Sequence, residues 1–151
     1  MPHSKWLSLP IVAALGVGTL LAQPPKTFKA RLSPVPIDVS MQATIAGSGS
    51  VSAVLTGTKL AVTGAFEGLR SPATTAQVHK SPTRGMRGPV VSDLAVAKNT
   101  DPTTGTITGT LDLTPALVTD LEKGRLYVQL HSEKAADGNL WGWLLPVEKG
   151  R

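Results

Sequence analysis

Short apolar–polar runs recur along nearly the whole chain, each broken by Gly, Pro, Asn or Asp before it reaches helical length. The first lies in "TFKARLS". It is followed by "MQATIAG" (41–47), "VSAVLTG" (51–57), "KLAVTGAFEG" (59–68), "TTAQVHK" (74–80), "PVVSDLAVA" (89–97), "GTITGTLDL" (105–113), "RLYVQLHS" (125–132) and "NLWGWLL" (139–145). Period-two alternation with turn residues at near-even spacing predicts an all-β, antiparallel Greek-key sandwich or barrel. "LTGTK" and "NTDPTTG" read as hairpin turns. One segment breaks the pattern. In "TPALVTDLEKG" (114–124), Thr114 suits an N-cap, Pro115 the first helical position and Gly124 the C-terminal cap, with Leu117 and Leu121 four apart. A short crossover helix is expected near 115–123.

The chain has no Cys, so thiolate metal sites, Cys nucleophiles and disulfides are excluded and an apolar core must carry stability. The N-terminus stands apart from that core. "MPHSKWLSLPIVAALGVGTLLAQPP" has one charge, Lys5, then an uncharged run from Trp6 to Pro25. Residues 1–25 therefore read as an export signal or an N-terminal membrane anchor, with membrane contact through residues 6–22, and 26–151 as one β-sandwich domain. The expected location is periplasmic or extracellular. A formal charge of +5 is modest and calls for no nucleic acid.

Alternation sorts the side chains. Leu126, Val128 and Leu130 share one face of their strand, and Tyr127, Gln129 and His131 the other. Ala76 and Val78 likewise oppose Gln77 and His79. With the aliphatic face inward, both histidines lie on the outer face, where a covering loop can bring them together. In the last strand Trp141 and Trp143 oppose Leu140, Gly142 and Leu144. Two readings stay open: the indoles lock a sandwich, or they form an interface.

These segments resemble the CHRD domain family, named after chordin. "FKARLS" supplies a Phe-x-x-x-Leu strand through Phe28 and Leu32. "GLRSPATTAQVHKSPTRGMRGPVVSDL" runs from Gly68 to Leu94, and "GTLDLTPALVTDLEKGRLYVQLHSEKAADGNLWGWL" from Gly109 to Leu144. The resemblance implies an immunoglobulin-like β-barrel with limited similarity to copper/zinc superoxide dismutases and no assigned activity. Two positions depart from the family pattern. Gln77 replaces the first histidine of a His-x-His pair, and Trp141 replaces an arginine of the last strand.

Two histidines outside the N-terminal segment are too few for a dismutase site, which needs several imidazoles. A smaller copper site from His79, His131 and a thioether of Met86 or Met41 is conceivable, because Cu(I) accepts soft sulfur. The plainer reading has each histidine hydrogen-bonded to a loop carbonyl. No cofactor is expected, with copper held open. There is no Gly-x-Ser-x-Gly element and no Gly-rich strand-to-helix turn, so no enzyme is expected. Between Glu67 and Asp93 the chain has no acids but carries Arg70, Lys80, Arg84 and Arg87. With Trp141 and Trp143, the arginines Arg70, Arg84 and Arg87 form a candidate surface for an extracytoplasmic or membrane-associated protein partner.

Overall fold

In the computed structural model, which describes residues 22–148, alternation becomes nine strands: β1 (Lys26–Pro34), β2 (Ser48–Thr56), β3 (Lys59–Glu67), β4 (Ala73–Lys80), β5 (Val90–Lys98), β6 (Gly105–Asp112), β7 (Leu126–Ser132), β8 (Ala135–Trp143) and β9 (Leu145–Pro146). Residues 1–21 of the segment read as a signal or anchor lie outside the described residues. All pairings are antiparallel. β1 to β8 follow one another in the order β2-β3-β6-β5-β4-β7-β8-β1, and β1 pairs back onto β2. Eight strands thus close a barrel, which removes the open edges an antiparallel sheet would otherwise expose. The two-residue β9 follows β8 and pairs with β1 through Phe28 and Lys29.

Inward positions fill the barrel. In β3, Leu60, Val62 and Phe66 are buried, while Lys59, Ala61, Thr63 and Ala65 face outward. The same core holds Phe28, Leu32, Ile107, Leu126, Leu130 and Leu140. The expected packing of Leu126, Val128 and Leu130 with Val78 and Leu111 is found: Val128 pairs with Val78, and all five belong to one cluster.

The helix forms as expected. α1 (Pro115–Glu122) begins at Thr114, whose hydroxyl accepts from the Leu117 amide at 3.3 Å, and ends before Gly124 at φ +67°. It lies between β6 and β7, and Leu121 is fully buried in the barrel core. Asp120 on its last turn accepts from Lys80 Nζ at 2.7 Å and pairs with Arg125 at 3.4 Å, tying helix to β4.

One expected strand is absent. "MQATIAG" is not extended; a 3-10 helix spans Val39–Met41 and continues into turns. Asp38 caps it by accepting from the Met41 amide at 3.1 Å, and the Ile45 amide donates to the Met41 carbonyl. Met41 and Ile45 are four residues apart, so on one turn they face the same way, and both pack into a common apolar cluster. At the other end, β8 begins at Ala135 rather than at 139. The charged turn shrinks to Glu133–Lys134, with Gly138 at φ +126° absorbing an irregularity inside the strand.

Candidate functional site

β7 is buried on both faces. Its outward residues Tyr127 and Gln129 are as hidden as its inward ones, and His131 is half-buried. The cover comes from two segments. The stretch carrying Val35, Met41 and Ile45 lies on one side and packs with Tyr127, Ala135, Trp141 and Trp143 in a second apolar cluster. On the other side, the loop 81–89 between β4 and β5 folds back. Its Gly88 amide donates to the Tyr127 hydroxyl at 3.1 Å. A Cβ at Gly88 would sit 1.8 Å from the Lys80 carbonyl oxygen, so only glycine permits this approach.

Aromatic rings make up most of the layer. His79 stacks on Tyr127 at 4.9 Å with 15° between planes. Tyr127 lies 5.0 Å from Trp143 and meets Trp141 edge-on at 5.9 Å, and the two indoles touch at 4.6 Å. Arg87 closes the layer from the loop. Its guanidinium carbon is 5.9 Å from the Trp141 ring, and Nη1 donates to the Asp137 carbonyl at 2.6 Å.

Both histidines share this face, each tied to a backbone carbonyl. His79 Nδ1 lies 2.9 Å from the Gly88 carbonyl oxygen, and His131 Nδ1 lies 2.8 Å from that of Ala136. A carbonyl only accepts, so each Nδ1 carries the proton and each Nε2 presents a lone pair. The His131 lone pair accepts from Gln129 Nε2 at 3.3 Å. His79 Nε2 is buried and has no partner among the described residues. Burial pushes the His79 pKa below the usual histidine value, and the positive fields of His131 and Arg87 add to this; the Gly88 hydrogen bond opposes it. Met86 is 53% exposed on the loop. Among the described residues no three His, Cys, Asp or Glu side chains group as metal ligands.

The partner candidates divide. Trp141 is 9% exposed and belongs to the second cluster; Trp143 is half-buried and donates Nε1–H to Ser81 Oγ at 3.2 Å. Both line a surface cavity of about 230 Å³ with Arg84, Lys29, Arg31, Ser33, Gly142 and Leu145. Arg87 sits beside it on Trp141. Arg70 does not join them. Its neighbour Ser71 accepts from the Lys134 amide, which places Arg70 by the β7–β8 turn, at the far end of β8 from Trp143. Lys29, Arg31 and Ser33 are site residues that the sequence reading passed over. Their signal lay in "FKARLS", where the positions alternating with Phe28, Ala30 and Leu32 must face outward.

The sequence profile of the CHRD domain matches residues 28–144. No curated protein and no solved structure shows a significant match.

Proposed function

The chain belongs to the CHRD domain family, and from that premise we propose that it is an exported accessory binding module, not an enzyme. In this reading it docks onto another extracytoplasmic or membrane-associated protein. The observation that carries it is the convergence of Trp143, the edge of Trp141, Arg84, Arg87 and two further cations on one exposed edge of the barrel. Trp141 is held in the second cluster, but Trp143 is only half-buried beside the cavity's cations, and aromatic and arginine side chains are the groups that anchor interfaces. Asp120, a carboxylate held below its usual range chiefly by its hydrogen bond to Lys80, serves as a clamp between helix and strand. The strand order, with β3 beside β6 and β4 beside β7, supports the Greek-key relationship to immunoglobulin-like and superoxide dismutase-like barrels.

A photo-crosslinking residue at position 84 tests the reading in the native compartment, with the same residue at 108 on the outer face of β6 as control. One discrete heterologous adduct from 84, and none from 108, is expected. Equal adducts from both positions, or none from 84, would overturn it.

A second reading, a periplasmic copper-binding protein using His79, His131 and a Met ligand, is favoured by one observation. Both Nδ1–H groups are held by carbonyls, the arrangement that orients an imidazole to ligate through Nε2, and the His79 lone pair is unpartnered. Arg87 opposes it, because a guanidinium near His79 disfavours a further cation. Metal analysis of untagged protein separates the readings: copper retained by the native chain and lost in His79→Ala and His131→Ala would support this second one.

A further inference from the structure

We propose that the cavity between β1 and the β8–β9 corner is a carboxylate-binding pocket that takes an acidic peptide segment of the partner protein. The inference rests on the docking reading above and adds the chemistry of what docks. Three of the lining side chains, Lys29, Arg31 and Arg84, are cations, and none is an acid. None of the three forms an ion pair or donates a side-chain hydrogen bond to a described residue. Glu67 lies across the adjoining concavity from Arg31 without pairing with it. By contrast Lys26, Lys59, Lys80 and Arg125 are all paired with acids, whereas the cavity gathers three unpaired cations with no acid in its lining.

Donor and acceptor counts select the ligand. Lysine and arginine only donate, and Ser33 is the one lining hydroxyl. A neutral or sugar-like ligand brings hydroxyl donors that need acceptors, and the lining side chains offer one. A carboxylate brings acceptors alone, which two guanidinium forks and an ammonium satisfy. Shape selects the source. A bilayer is a flat surface and favours protruding apolar groups, but here the indoles are recessed: Trp141 is buried, and Trp143 is half-buried with its N–H already donated to Ser81. Gly142 closes the floor, since a Cβ there would lie 2.3 Å from the Arg31 carbonyl oxygen. An Asp or Glu side chain enters among the cations, and an apolar neighbour on the same peptide rests on Trp143.

Tryptophan fluorescence of the full chain, titrated with a blocked pentapeptide of glutamates around one phenylalanine, tests this. The expected result is saturable binding that weakens at least about tenfold between low and about 0.3 M salt. A Lys29→Gln/Arg31→Gln variant and an Arg84→Gln variant, both of exposed residues, lose it by about tenfold or more, while Arg70→Gln binds normally. The lysine analogue of the peptide does not bind. Equal binding by the β1 variant overturns the pocket. If Arg87→Gln alone abolishes peptide binding, the docking reading survives and the assignment of this cavity falls. If position 84 still crosslinks to a partner while the peptide fails to bind, the carboxylate chemistry is wrong and docking stands. Phosphatidylglycerol vesicles binding through the same three cations, with the peptide inert, would replace the peptide by a membrane surface.

Discussion

Leu130, Trp141 and His79 occupy the two sides of one sheet and make different kinds of contribution. Leu130 is fully buried in the barrel core, so Leu130→Ala is expected to cost about 2–5 kcal/mol in urea unfolding. Trp141 fills the second cluster, and Trp141→Ala is expected to cost about 3–5 kcal/mol, with a smaller loss for half-buried Trp143→Ala. Of the two readings of the indoles, Trp141 is therefore the lock, and only Trp143 is left to a partner. His79 adds a pH dependence. Its folded pKa is depressed by burial, so its contribution is present above the unfolded value of about 6.5 and is lost as pH falls from there through the folded pKa. Unfolding free energy measured across that window should fall in the native chain and flatten in His79→Gln. Alternation made Leu126, Val128 and Leu130 legible as core. It was silent on Tyr127 and Gln129, because their burial depends on segments 35–45 and 81–89 arriving from elsewhere in the chain.

Elements were legible where local chemistry and barrel packing agree, as at the Thr114–Pro115 start of α1 and the Gly57 hairpin. Residues 41–47 were misread because Met41 and Ile45 serve one face at helical spacing, and Asp38 supplies a cap that alternation does not report. The 81–89 loop was seen as basic and Gly-rich, but its closure over Tyr127 hangs on one residue. Gly88→Ala forces a Cβ into the Lys80 carbonyl; the loop must lift, and faster amide exchange at 127–131 with little change in β1–β3 is expected. The Asp120 clamp is acid-sensitive. Its depressed carboxylate contributes stability above about pH 4, lost as pH falls through the folded pKa, so Asp120→Asn should narrow the difference in stability between neutral and acid pH.

At the scale of the whole molecule, a closed barrel has one core inside and a smaller one outside, and the second core covers much of the β7 face. The family was readable from its motifs, and two indoles with Arg84 and Arg87 were readable as a candidate surface. The cavity itself was not, because it needs β1 set against β8 and β9, residues more than a hundred positions apart in sequence. The central claim is that the cavity by β1, and not the two histidines or the far end with Arg70, is where the chain binds. Amide hydrogen exchange of the full chain, with and without the acidic pentapeptide, tests it most directly. Slower exchange confined to residues 29–33, 82–87 and 141–145 is predicted. Slower exchange at 68–72 and 132–136 instead, with the β1 edge unchanged, would contradict the account.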